Sequence, residues 1–250
     1  MKNKPLGFIA YEGPSRIDGK PIVVIVTALE SSANDKTGNL AQSFILCADM
    51  DPVTAANTGN DATICGQCRH RPALAKKTGA PLCYVNKGHA PLQVFKAYKR
   101  GRYTKATPAT IARALAGLKL RIGTYGDPAA APVGLWEALT QHTDDHTGYT
   151  HQWKEKGFDH ARWARLAMAS ADSLDDAALA NLHGMRAFRV SIGPDRQTAE
   201  TICPASKESG KRTQCAACML CAGTSKAARD IVIQDHGPGH QRRVIAIATA

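Results

Sequence analysis

Leu120-Arg-Ile-Gly-Thr-Tyr-Gly126 and, seven residues later, Val133-Gly-Leu-Trp-Glu-Ala-Leu-Thr140 open the stretch that decides the fold. The first reads as a short apolar strand and the second as a helix. The same alternation then repeats, with Gly148–Trp153, a helix near His160–Arg165, Leu166–Ser170, and a helix over Leu174–His183 stopped by Gly184. Phe188–Ile192, Thr198–Cys203, Asp230–Asp235 and Val244–Ala248 complete the series. Strand and helix in this rhythm predict βα units around a parallel sheet. Length and repeat count fit a (β/α) barrel-like α/β fold, closed or partly closed, with a doubly wound open sheet as the alternative.

Working outward, the first fifty residues are dense in β-branched side chains and broken by Asp18-Gly19, which predicts an N-terminal β-rich segment with strands at Leu6–Tyr11, Pro21–Leu29 and Ser43–Ala48. Helices are expected to begin at Pro52, Pro91 and Pro108, with Asp51 and Thr107 as caps and Gly59, Gly101 and Gly117 as stops. Residues 51–106 are less regular and read as a loop and helix module at the barrel mouth, within a single domain of 250 residues.

The chemistry-bearing signal is cysteine. Cys203-Pro204 and Cys215-Ala-Ala-Cys218-Met-Leu-Cys221 bring four thiols into nineteen residues, and Cys65-Gly-Gln-Cys68 with Cys83 forms a second group. Thiolate ligation suits zinc and iron–sulfur clusters. A zinc ribbon takes two separate Cys-x-x-Cys knuckles, whereas one segment supplying three ligands, with a distant Cys-Pro, matches the ferredoxin-type arrangement. Cys203, Cys215, Cys218 and Cys221 are therefore assigned to a [4Fe–4S] cluster, with Zn²⁺ as the alternative. Cys65, Cys68 and Cys83 are assigned as metal ligands for zinc or iron–sulfur, the fourth position falling to Cys47, His70, His89 or an open site. Cys47, inside an apolar strand, is also read as a small buried thiol.

In either α/β fold, residues at strand ends carry the chemistry. Asp127, His151, Asp172 and His236 are the catalytic candidates, accompanied at strand ends by Tyr125, Gln152, Ser170, Arg189 and Asp235. Asp172 also reads as a cap for the helix that follows. Walker, Gly-x-Ser-x-Gly and His-Glu-x-x-His motifs are absent, so no standard reaction is named.

The N-terminus offers too brief an apolar run for a signal peptide, and no stretch reaches the roughly twenty apolar residues of a membrane span. A soluble cytoplasmic protein is expected, in which reducing conditions leave eight cysteines free for metals rather than disulfides. The net charge of +11 raises the question of a polyanionic partner. Lys96-Ala-Tyr-Lys-Arg-Gly-Arg-Tyr-Thr-Lys105 mixes cations with Tyr98 and Tyr103, a combination that neutralises phosphates and stacks on bases, or else a solvated basic helix end. Expected partners are a small-molecule substrate or redox partner, with nucleic acid as the alternative and no membrane.

At Ile64-Cys-Gly-Gln-Cys-Arg-His-Arg71, Leu82-Cys-Tyr-Val-Asn-Lys-Gly-His-Ala-Pro91, Arg121–Pro128, Gly148–Trp153 and Cys203-Pro-Ala-Ser206, the chain resembles an uncharacterised cysteine-rich family encoded by phages, prophages and plasmids. The resemblance spans nearly the whole chain and implies an α/β protein of a bacterial cytoplasm. In joining barrel-like βα units to clustered cysteines the chain is also similar to radical-SAM enzymes. It departs from them in lacking their Cys-x-x-x-Cys-x-x-Cys loop, so their cofactor is not carried over.

Overall fold

The computed structural model describes residues 5–30, 36–78, 83–193 and 195–235. Its architecture is mixed α/β, with two sheets and interspersed helices. The six-stranded sheet begins with β1 (Gly7–Pro14), β2 (Pro21–Thr27) and β3 (Ala41–Cys47), which pair antiparallel in sequence order. Val23, Val24, Ile25 and Val26 are fully buried, as are Ile45 and Leu46, so this meander is a core sheet covered on both faces.

Between β3 and the next long strand run α1 (Pro52–Thr58), α2 (Ala62–Cys65), α3 (Pro72–Thr78), α4 (Ala90–Lys99), β4 (Thr104–Lys105) and α5 (Pro108–Ala114). Asp51 accepts from the backbone N–H of Val53 and Thr54, and Thr107 from that of Thr110, each cap contributing about 1 kcal/mol. Proline at the first turn of each helix removes an N–H that would have no partner there.

β5 (Lys119–Tyr125) then pairs parallel with β3. α6 (Val133–Thr140) leads to β6 (Asp145–Thr147), which pairs parallel with β5. β7 (Tyr149–Thr150) starts the five-stranded sheet, followed by α7 (His160–Trp163), β8 (Met168–Ala171), α8 (Leu174–Leu182) and β9 (Ala187–Ser191). β10 (Glu200–Ile202), α9 (Cys215–Cys218) and β11 (Asp230–Gln234) follow, with β11 inserted between β9 and β10. All pairings within this second sheet are parallel.

β6 and β7 are parted only by Gly148. A Cβ there would lie 2.9 Å from the Leu166 carbonyl oxygen, so the closeness of the next segment demands glycine. One hydrophobic core crosses this junction, running from Val24 and Ile45 through Trp136 and Trp153 to Ala169 and Ala187. Both indoles are satisfied, donating to the carbonyls of Pro128 and Ser170.

Neither sheet closes into a barrel among the described residues: β4 and β10 stand at free edges of their sheets. The strand order reverses in each sheet, where β4 returns beside β1 and where β11 returns between β9 and β10. The expected strand at Val244–Ala248 lies outside the described residues. No helix among the described residues is long and apolar enough to cross a membrane.

Candidate functional site

The carboxyl ends of β5, β7, β8, β10 and β11 open on one cavity of about 190 Å³. Tyr125, Asp127, His151, Ser170 and Asp235 line it, together with Cys65, Cys68 and Cys83 from the helical module and Cys203 and Cys215 from the C-terminal group. Two cysteine groups far apart in sequence thus face the same space. His236 lies outside the described residues.

The first group is held by a local frame. Cys65 ends α2, and the Cys68 amide donates to the Cys65 carbonyl at 3.1 Å. Between them Gly66 has φ +52°, and a Cβ would fall 2.1 Å from Gln152 Oε1, so only glycine lets Gln152 reach in and donate to the Cys65 carbonyl. Buried Arg71 ties the loop down by pairing with Asp61 at 2.8 Å and donating to the Gly66 and Gly59 carbonyls. Cys83 joins from the far side of the module, its amide donating to the His70 carbonyl.

Beside these thiols His70 Nε2 lies 3.0 Å and His151 Nε2 4.0 Å from Asp172 Oδ1, and the ligand atoms of these three residues all fall within 4.8 Å of one another. Cys68 Sγ is 3.8 Å from His151 Nε2. Two imidazoles and a carboxylate suit zinc or non-haem iron. Burial pushes the His151 imidazole down to about 4, a neutral state able to offer a lone pair. Burial alone would raise Asp172, but the hydrogen bond with His70 and the nearby His151 ring hold it below the usual carboxylate range.

Asp172 does not cap α8. Ser173 does, accepting from the Asp176 amide at 3.0 Å and leaving the Asp172 carboxylate for the histidines. Asp127 lines the cavity with both carboxylate oxygens engaged. One oxygen accepts from the Ala129 amide, the other from the His151 amide at 2.7 Å and from Gln152 Nε2. Its carboxylate fixes the loop that carries His151, even though burial raises its pKa.

In the C-terminal group Cys203 is within electrostatic reach of Cys215 and Cys218, and Cys221 of all three. Burial pushes the thiols of Cys203, Cys215 and Cys221 up, the last to about 12, so metal binding at these three would displace protons. The loop is pinned from several sides. The Cys215 and Ala216 amides donate to the carbonyls of Lys36 and Thr37, Lys119 Nζ to that of Ala216, the Gly148 amide to that of Cys221, and Arg186 to those of Leu220 and Gly223. A tetrahedral zinc with bonds of about 2.3 Å holds its sulfurs within about 4 Å of each other. Among the described residues the compact set is His70, His151 and Asp172 rather than any set of thiols.

Other expected ligands lie elsewhere. Cys47 is buried in the core of β3 with Sγ on the Asn60 carbonyl at 3.6 Å, and His89 is exposed at the start of α4. Arg189 does not join the cavity, because its guanidinium binds Glu200 at 2.6 Å. In the basic 96–105 segment Tyr103 is buried, whereas Tyr98 is half-buried with its hydroxyl donating to Glu12. Its cations are exposed around the end of α4, a solvated basic helix end. All eight cysteines are free thiols.

Sequence reasoning missed Arg121, buried in β5 and facing the cavity. A lone cation in the apolar run Leu120-Arg-Ile was the available signal. It also missed the pairing of His70 with Asp172, which no local pattern encodes. Fold and site together define a cysteine-rich α/β protein with two thiol groups on one strand-end cavity. No family model, curated protein or solved structure matches the chain.

Proposed function

We propose that the protein is a metalloenzyme acting on a small molecule in the strand-end cavity, with a [4Fe–4S] cluster on Cys203, Cys215, Cys218 and Cys221 and a second metal position where Cys65, Cys68 and Cys83 stand beside His70, His151 and Asp172. The observation that carries this reading is the single cavity shared by both cysteine groups. Structural metal sites are closed and need no adjoining pocket, whereas reactive ones keep an open position. Bound, the cluster supplies electron-transfer or radical chemistry of a kind its environment tunes. His151 and Asp172 serve as ligands or proton carriers, and Asp127 positions His151. Barrel-like winding, a cytoplasmic setting and the phage and plasmid family belong to the same proposal, supported by the run of parallel strand pairings and the resemblance of the motifs.

Protein purified without oxygen is expected to be brown and to contain iron and sulfide. Cys215→Ser or Cys218→Ser should lose that iron and lower stability, whereas Cys47→Ser should keep it. Colourless protein holding only stoichiometric zinc after anaerobic reconstitution would overturn the cluster. The alternative, a nucleic-acid-binding accessory protein with structural zinc, is favoured by the exposed cations around the end of α4 alone. It requires steeply salt-dependent DNA or RNA binding that survives cysteine substitution.

A further inference from the structure

Arg121 is only 7% exposed, and among the described residues it has no ion-pair partner. The other deeply buried guanidiniums are accommodated by the protein: Arg71 pairs with Asp61, Arg189 with Glu200, and Arg186 donates to four backbone carbonyls. Arg121 donates one hydrogen bond, from Nη2 to Tyr84 Oη at 2.9 Å, and its guanidinium carbon lies 5.8 Å from the Tyr149 ring centroid. Its Nε, like that of Arg186, is buried without a partner. A guanidinium carries five N–H donors in a planar fork, so most of its capacity is unused. Leaving such a charge buried and uncompensated is strongly destabilising.

The nearby carboxylates do not pair with Arg121. Asp127 accepts from backbone amides and Gln152, Asp172 beside the cavity pairs with His70, and Asp235, which lines the cavity, forms no ion pair with Arg121 among the described residues. Cys215 is near enough to interact electrostatically but accepts no hydrogen bond from Arg121. A second buried polar atom without a partner, Tyr125 Oη, lines the same cavity. One wall is apolar, with Tyr149 and Phe188 in edge contact at 4.6 Å and Val190 and Ile233 beside them, while Lys36, Ser170 and Asp235 also line the cavity. A volume of about 190 Å³ exceeds the ~150 Å³ of an apolar cavity known to admit benzene.

We infer that the cavity binds a ring-sized organic oxyanion, a carboxylate or a phosphate, whose charged end takes the free fork of Arg121. The local backbone supports this orientation. β5 is irregular between Arg121 and Tyr125, and Ser43 Oγ spans the irregularity, donating to the Arg121 carbonyl and accepting from the Gly123 amide at 2.9 Å. Irregularities of this kind re-aim side chains beside binding sites. The inference rests on the proposed function only in taking this cavity as the place of reaction.

The test uses full-length protein purified anaerobically, with iron, sulfide and zinc measured in every sample, and titrates benzoate, phenyl phosphate and neutral benzamide by calorimetry. At least one anion should bind tenfold or more tightly than benzamide. Benzoate alone would assign a carboxylate, phenyl phosphate alone a phosphate. Arg121→Gln should abolish the preference at unchanged metal content, and Arg121→Lys should keep it in weakened form. Metal-loaded protein that binds none of the probes, or binds benzamide as tightly as the anions, overturns the inference. So does Arg121→Gln protein that loses its metal, because the guanidinium then serves the cluster. If Arg121→Gln fails to fold, the wild-type ratio of anion to amide decides. Protein without metal that still prefers the anions leaves the inference standing and removes the metalloenzyme reading.

Discussion

Arg189 on β9 and Arg121 on β5 are buried to nearly the same degree on strands of the parallel series, yet one is enclosed by carboxylates and the other by aromatic rings. Arg189 reaches across β11 to Glu200 on the edge strand β10 with two hydrogen bonds, at 2.6 and 2.7 Å, and to Asp195 at 3.2 Å. Its charge is used up inside the fold, locking an edge strand to the sheet. Arg121 has no such partner and faces a cavity. Burial alone therefore does not separate a structural charge from a functional one; the list of partners does.

The largest effect that would break this contrast is on the paired side. Arg189→Met strands a buried Glu200 carboxylate and should destabilise the protein by about 3–5 kcal/mol, a fall of about 6 °C or more in the melting midpoint. An effect under about 1 kcal/mol would show that the pair is solvated in solution.

An intermediate effect is expected from pH. Burial alone would raise Glu200, but its hydrogen bonds with Arg189 and the Gln197 amide hold its pKa below the usual value. Since the folded state lowers this pKa, the stability it contributes is complete above the unfolded carboxylate value and is lost as pH falls through the folded one. The melting midpoint of wild type should drop more steeply over that acid range than that of Glu200→Gln. Parallel curves would remove Glu200 from the acid response.

The smallest effect belongs to Arg121. In ligand-free protein, Arg121→Met removes an uncompensated charge and keeps much of the side-chain volume, so stability should change by less than about 1 kcal/mol or rise. A loss matching that of Arg189→Met would reveal an internal partner and erase the contrast.

Local pattern carried much of the fold. Val133–Thr140 forms α6 with the expected bounds, Asp51 and Thr107 cap as read, and the β-branched runs of β2 and β3 are strands. Asp145-His-Thr147 escaped because it is short and polar; its pairing with β5 gives it strand form that propensity does not. Barrel closure did not follow from repeat count, because strand number says nothing about whether edges meet. At the site, the thiol spacings and strand-end residues were legible since both are local signals. The His70–Asp172 contact and the isolation of Arg121 depend on what tertiary packing brings near and what it leaves out, and neither is written in spacing.

The amides of Cys215 and Ala216 rest on the carbonyls of Lys36 and Thr37, contacts between segments near opposite ends of the chain. Closing so long a loop is entropically slow, and during synthesis it must wait until the C-terminal cysteines have left the ribosome. The early strands and the first thiol group are already available by then. Sealing of this loop is thus a late event, and a chain stalled before it would carry a formed N-terminal sheet with its final loop still open.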